Sequence, residues 1–416
     1  MNVASRALSR DAAMLGGAAI ARTGVATITS LLIARALGPA ARGDWAVIAS
    51  LAILVGTVGS LGLPQAAAYG VARFDGTQRR RLVAAALEAG ALLGLLAAAV
   101  YICLVALGMA RGLTAASCAG AAICFGVVVQ GVTQYIVLTG APLIWYAGAE
   151  LVPAAGMLIA IAIAWALGDV TVLLVVCLSA LSTAGGAAVA FVGLHRQRLG
   201  VARPHLNLRE TASTLRPLIR FGLIGFGAAT LSLAVHRLDI LLVDGFDGAR
   251  SAGLYAVAVQ FGDAFMVVPV ALGYLLFRRG ASDTEGHWDD ALRTLRWTAA
   301  VGALVALVLG LAAPKVITAV VGDSYRESAG ALRWLLPGVV FLGLQSLVSN
   351  YVAARGRPRA VLFAWLAAAI AGLVLDLLLI PPYGIRGAAA ASTISYLLVL
   401  GLHVRPLVSV RPSRTL

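Results

Sequence analysis

Leu31–Val47 reads LLIARALGPAARGDWAV, and Leu241–Val257 reads LLVDGFDGARSAGLYAV. Shifted by 210 residues without a gap, the two stretches match at Leu31/Leu241, Leu32/Leu242, Gly38/Gly248, Gly43/Gly253, Ala46/Ala256 and Val47/Val257. The aromatics Trp45 and Tyr255 also coincide. At a shift of 216, Tyr135, Gly140, Pro142, Gly156 and Gly168 fall on Tyr351, Gly356, Pro358, Gly372 and Gly384. Some matches are accidental in a chain rich in Ala, Leu and Gly. Ordered Gly, Pro and aromatic coincidences carry more weight, because those residues set turns and interfaces. The pattern reads as an internal duplication.

Around these stretches the chain is apolar from end to end. Of 416 residues, 61% are hydrophobic and only 12% charged, with a mean hydropathy of +0.93. A soluble domain carries roughly twice that charge. Apolar runs of membrane-spanning length recur throughout. They predict an all-α integral membrane protein with about twelve transmembrane helices: Ala12–Ala36, Trp45–Ala68, Leu82–Gly108, Leu113–Leu138, Leu143–Leu167, Val170–Leu194, Pro217–Val243, Ala252–Leu276, Trp297–Val321, Leu332–Ala354, Ala360–Ile380 and Gly384–Leu402.

The net charge of +14 comes from basic residues in short loops, which points to topology and anionic headgroups rather than nucleic acid. Of the 32 Lys and Arg, 22 fall in one alternating set of loops and 8 in the other. That asymmetry puts both termini in the cytoplasm of a multi-pass protein of the inner (plasma) membrane. Arg6 and Arg10 precede a first helix that reads as a retained signal anchor. The four cysteines, Cys103, Cys118, Cys124 and Cys177, lack metal-ligand spacing and read as small buried thiols.

The basic loop 195–216 divides the chain into an N-terminal lobe, 1–200, and a C-terminal lobe, 201–416, each with six helices. Six is even, so both lobes enter the membrane in the same orientation. Their symmetry axis then lies along the membrane normal, the plan of transporters that rock two bundles around a central site.

Five motifs carry a family resemblance. ARALGPAARGDWA (Ala34–Ala46) and RLDILLVDGFDGARSAGLYAVA (Arg237–Ala258) resemble the stretches after the first and seventh helices of Wzx-type oligosaccharide flippases. APKVITAVVGDSYRESAGALRWLLPG (Ala313–Gly338), NYVAARGRPR (Asn350–Arg359) and IPPYGIRGAAAASTISY (Ile380–Tyr396) are similar to later connections of that family. The resemblance implies the MOP (MATE-like) exporter superfamily: two pseudo-symmetric six-helix bundles, a central cavity and alternating access. It implies an undecaprenyl-diphosphate-linked glycan as cargo, of the kind used in lipopolysaccharide O-antigen, exopolysaccharide or capsule biosynthesis. It also implies a monomer working beside glycosyltransferases and a polysaccharide polymerase. MurJ-type lipid II flippases of the same superfamily generally have fourteen helices, so twelve argues against that assignment. Asp376 stands where many relatives carry Asn.

Polar groups inside the spans carry the functional reading, because a mid-span charge costs about 2.5–3.5 kcal/mol on insertion scales. Arg22 lies near the midplane of the first helix. It reads as a cation for the cargo diphosphate, since a guanidinium fork suits phosphate, or as a member of a structural ion pair. Arg237, on the counterpart seventh helix, reads the same way or as part of an interlobe network. His236 and Asp239, three residues apart, are spaced to pair. Gln130 and Gln134, one turn apart, read as sugar-hydroxyl contacts or as interhelical hydrogen bonds. Asp239, Asp263 and Asp376 are candidates for coupling to Na⁺ or H⁺, or for buried pairs. Glu88 and Glu150 sit near cytoplasmic helix ends and read as wet. The cluster Asp283, Glu285, Asp289, Asp290 and His287 reads as a solvated charge run rather than a metal site.

The alternative function is a Na⁺- or H⁺-coupled, MATE-like exporter of small amphipathic compounds. Such a protein would favour an acidic cavity, whereas Arg occurs in both the first and seventh helices. A membrane enzyme is disfavoured: outer loops are short, no catalytic spacing stands out, and no catalytic residue or cofactor is assigned.

Overall fold

The computed structural model describes residues 3–199, 208–266, 287–354 and 358–409. The end of the expected eighth span, loop residues 200–207, and Asp283 and Glu285 of the acidic run lie outside the described residues. The helices are α1 (Val3–Gly59), α2 (Leu63–Arg73), α3 (Gly76–Ala106), α4 (Ala115–Gly140), α5 (Leu143–Leu167), α6 (Val172–Arg196), α7 (Leu208–Phe265), α8 (His287–Val321), α9 (Ser328–Ala354), α10 (Pro358–Tyr383) and α11 (Ile385–Ser409).

Among the described residues, ten continuous helical stretches are long and apolar enough to cross a bilayer. Two of them, Met14–Gly59 with 46 residues and Gly225–Phe265 with 41, are too long for one crossing, which takes about 20. Each is broken once. Gly38 takes φ 75° and ψ 170°, and Gly248 takes φ 83° and ψ 175°, a region essentially open only to glycine. Counting both as double crossings gives the twelve spans read from the sequence.

The two breaks occupy equivalent positions of the duplication, and a second equivalent pair meets across it. A Cβ on Gly43 would collide with the carbonyl of Ala249, and one on Gly253 with the carbonyl of Pro39. The two backbones therefore touch reciprocally, one glycine from each copy admitting the other. The shift of 216 has a structural echo as well. Gly168 (φ 80°) ends α5 and Gly384 (φ 55°) joins α10 to α11, both in the left-handed conformation.

The chain forms two compact units, Met1–Thr29 with Asp44–Thr230, and Ser30–Gly43 with Leu231–Leu416. Each unit thus takes part of α1 and part of α7. In the first, α4 packs against α2, α3 and α6. Its core joins Leu63, Ala66 and Val71 of α2, Leu82 and Ala86 of α3, Val132 and Ile136 of α4, Leu194 of α6, and Leu215 and Leu218 of α7. In lipid the hydrophobic effect does not drive one helix onto another, so close approach through small residues does. Gly126 of α4 meets Thr183 of α6, and Gly193 of α6 lies under the Trp145 ring of α5.

In the second unit, α11 packs against α9 and α10. Gly338 admits Thr393, whose Oγ1 donates to the Trp334 carbonyl at 2.6 Å. Tyr325 fastens the Ser30–Gly43 stretch by donating to the Ala34 carbonyl at 2.7 Å. Large apolar side chains point outward on several helices, among them Leu95, Leu96, Ile159, Leu304, Leu307, Phe363 and Ile370. So many outward apolar side chains suit lipid as their solvent.

Three expectations are corrected. The second span is not continuous through Ala68. α1 ends at Gly59, and α2 starts at Leu63 after Gly62 turns left-handed (φ 76°), with Pro64 in its first turn. Proline there lacks only an N–H that the first turn would leave unpaired anyway. Of the cysteines only Cys124 is buried; Cys103, Cys118 and Cys177 are exposed. Arg42, which lies between the first two expected spans and is one of the 8 basic residues of the second loop set, is buried and donates from Nη2 to Ser30 Oγ at 3.0 Å.

Candidate functional sites in the two units

Mid-span polar groups form one site in each unit. In the first, Arg22 on α1 approaches Glu150 on α5, with Nε 2.8 Å from Oε2. The Arg22 side chain remains 50% exposed, whereas that of Glu150 is 17% exposed. Glu150 is therefore not a wet helix end but the partner of the mid-membrane cation. Gln130 on α4 lies close by. Its Nε2 and the Ala149 carbonyl, next to Glu150 in the chain, both rest against Gly186 of α6. Replacing that hydrogen by a methyl would displace the Gln130 amide. Gln134 Nε2 and, on α2, Gln65 Oε1 are buried without a hydrogen-bond partner among the described residues. The interhelical bond expected of Gln134 is thus not made through that atom.

The second unit holds carboxylates instead. Asp239 on α7 is buried. Its Oδ2 accepts from the Tyr255 hydroxyl at 2.5 Å and from Ser392 Oγ on α11 at 3.2 Å, and its Oδ1 accepts from the Ile240 amide at 2.8 Å. The pairing expected with His236 is not made. His236 Nδ1 lies 2.5 Å from the Ser232 carbonyl, and its ring lies against Tyr396 and Trp365, with centroids at 5.3 and 6.0 Å. The hydroxyls of Tyr255, beyond the break in α7, and of Ser392 on α11 satisfy the carboxylate instead of an imidazole already held by its own helix.

Asp376 on α10 is also buried, and its Oδ1 has no hydrogen-bond partner among the described residues. It lines a small cleft with Leu238, Gly372, Ser392 and Ser395. Ser392 thus borders Asp376 and donates to Asp239. Two carboxylates bordering one buried hydroxyl repel each other when both are charged. A cation or a shared proton relieves that repulsion, and the surrounding oxygens suit either. Asp263 stands apart from this pair, half-buried on α7 beyond Gly248, within electrostatic reach of Arg237 and His236. Arg237 is half-buried in the second unit, where it also feels the buried Arg42.

The duplication makes the contrast exact by position. At the shift of 210, Arg22 corresponds to Ser232, Thr29 to Asp239, and Trp45 to Tyr255. Where the second copy puts its carboxylate, the first has Thr29, whose hydroxyl donates to the Val25 carbonyl at 2.8 Å. Where the first copy puts its guanidinium, the second has a serine.

No protein-family model matches the chain. It is 24% identical over 363 residues, 83% of this chain and 81% of the other, to the EPS I polysaccharide export inner membrane protein EpsE of Ralstonia nicotianae. In structure it is similar to the lipid II flippase MurJ in an inward closed conformation, with a TM-score of 0.67 and 14% identity over 94% of this chain and 88% of that one. An inward-facing multidrug resistance MATE family transporter of the MOP superfamily aligns with a TM-score of 0.63 and 14% identity, covering 95% of this chain and all of the other.

The fold is that of the MOP superfamily.

Within the MOP fold, the sequence-predicted residues divide by unit: Arg22, Gln130 and Gln134 in the first, Arg237, Asp239, Asp263 and Asp376 in the second. Glu150, Tyr255 and Ser392 belong with them and went unassigned. Tyr255 had a signal, as an aromatic repeated at the duplicated position. Glu150 and Ser392 had none, because their partners lie on helices remote in sequence.

Proposed function

We propose that the chain is a flippase that carries a polyprenyl-diphosphate-linked oligosaccharide, a precursor for lipopolysaccharide, exopolysaccharide or capsule, from the cytoplasmic to the outer leaflet of the inner membrane. One observation carries the reading: a half-exposed guanidinium in the middle of a membrane span, paired on one edge with Glu150. A charge at that depth needs a compensating role, and diphosphate is the anion whose geometry a guanidinium fork matches. The likeness to a polysaccharide export protein and to a lipid II flippase supports it.

In this reading Arg22 takes the diphosphate, assisted by Arg237, while Gln130 and Gln134 meet sugar hydroxyls. The polyprenyl tail stays in lipid. The lobes 1–200 and 201–416 rock, with both termini in the cytoplasm, and a monomer suffices beside the glycosyltransferases and polymerase. Asp239 and Asp376 exchange Na⁺ or H⁺, and Asp263 balances Arg237. The protein supplies binding and access rather than bond chemistry. Deleting the gene tests this: lipid-linked glycan then accumulates on the cytoplasmic leaflet. Normal export from folded Arg22→Ala and Arg237→Ala proteins would refute the site assignment.

A second reading, ion-coupled export of small amphipathic compounds, draws on the MATE likeness and on the buried carboxylates of the second unit. It requires deletion to raise drug sensitivity while glycan export continues.

A further inference from the structure

Glu150 has a place in this scheme beyond neutralising a charge. It stands on α5, a different helix from Arg22, and reaches the guanidinium by its Nε edge at 2.8 Å. The arginine stays half exposed in that contact, so an external anion can reach it while the carboxylate is still bound. The pair is neutral as a unit, whereas a cargo diphosphate brings more than one negative charge. Carboxylate and diphosphate beside one guanidinium repel each other, so each excludes the other and the stronger ligand holds the cation.

We infer that Glu150 is a tethered competitor for Arg22, exchanged for the cargo diphosphate on loading and returning to expel it on release. This rests on the reading of Arg22 as the diphosphate site. The competitor has two consequences. Before loading it occupies the cation, so singly charged phosphodiester headgroups of bulk lipid, abundant but weak ligands, do not fill the site. If the guanidinium is free about one tenth of the time, every external anion binds about tenfold more weakly. Only a strong ligand then remains bound at low concentration. After the cargo reaches the outer side, recapture of Arg22 by Glu150 supplies the push for departure. Glu150 thus sets the affinity and turnover of the site: it weakens binding and speeds release, the opposite of what a structural ion-pair partner does.

The test measures inorganic pyrophosphate binding to the full-length protein in nanodiscs by calorimetry, beside export of lipid-linked glycan in cells. Glu150→Gln is expected to bind pyrophosphate about tenfold more tightly than wild type, to retain phosphatidylglycerol more tightly by a similar factor, and to export more slowly. A substrate titration should show apparent KM and kcat falling together. Glu150→Asp keeps the carboxylate on a shorter stem and should fall between the two. A folded Glu150→Gln protein that binds pyrophosphate no more tightly than wild type, or exports at an undiminished kcat, overturns the proposal. If Glu150→Gln does not fold, Glu150→Asp decides alone: tighter pyrophosphate binding supports a competitor, while weaker or unchanged binding refutes it. Arg22→Ala separates the two levels. If it binds pyrophosphate like wild type, the diphosphate reading itself fails. If it loses binding while Glu150→Gln does not tighten it, only the competitor fails.

Discussion

The two halves of this chain descend from one pattern yet carry opposite polar sites. In the first unit a half-exposed arginine is held by one carboxylate. In the second, a buried aspartate is held by two hydroxyls and an amide, with a second buried aspartate beside the same serine. The positions are interchangeable by the repeat: arginine against serine, threonine against aspartate, tryptophan against tyrosine. Exposure separates them further. A group open on one side can exchange an external ligand, whereas a buried one answers only to something as small as a proton or a bare ion. On the function proposed above, exchange of a few polar side chains between the two copies provides an anion handle in one unit and a cation handle in the other.

The sharpest way to break this comparison is to remove the arginine. Arg22→Ala should lower glycan export by about 100-fold, as loss of charge-assisted contacts to a desolvated anion does. Because the residue is half exposed, the melting temperature should shift only slightly, and thermal unfolding in detergent checks that.

Next comes the buried carboxylate. Asp239→Ala strips the acceptor from Tyr255 and Ser392 and should cost about 3 kcal/mol. The equivalent Thr29→Ala, which removes a hydroxyl bonded only to its own helix, should cost under about 1 kcal/mol. Equal losses in the two variants would mean that the halves are not differentiated as described. Gly43→Ala and Gly253→Ala sharpen the symmetry instead. Each places a methyl against the other copy's carbonyl, and each should destabilise by about 1–3 kcal/mol and to a similar extent. The smallest expected effect is Gln130→Ala, which should slow export by only about threefold, the value of one neutral hydrogen bond.

Much of the architecture was legible because lipid imposes a simple grammar. Apolar runs had to be helices, and the spans, the duplication and the glycine breaks all followed from hydropathy and from the order of glycines. The break at Gly62 was hidden because hydropathy runs on unchanged through Leu61 and Leu63, and only backbone conformation marks it. Single charges in apolar runs were readable as Arg22, Asp239 and Asp376. Their partners were not, since Glu150 and Ser392 come from helices whose adjacency no local spacing encodes. His236 and Asp239 are spaced to pair yet do not hydrogen-bond, because spacing along one helix says which groups can meet, not which of them finds a better partner elsewhere. Arg42 falls between the first two expected spans and so counts among the loop charges, whereas the helix resumes at once after Gly38 and carries it inward.

The most direct test of this division of labour uses purified protein in liposomes with a polyprenyl-diphosphate oligosaccharide and an imposed Na⁺ or proton gradient. Arg22→Ala should fail to move the lipid under any gradient. Asp376→Asn, which loses no bond made by Oδ1, should still move it but no longer respond to the gradient. An Arg22→Ala protein that flips normally, or an Asp376→Asn protein that still follows the gradient, would contradict the account.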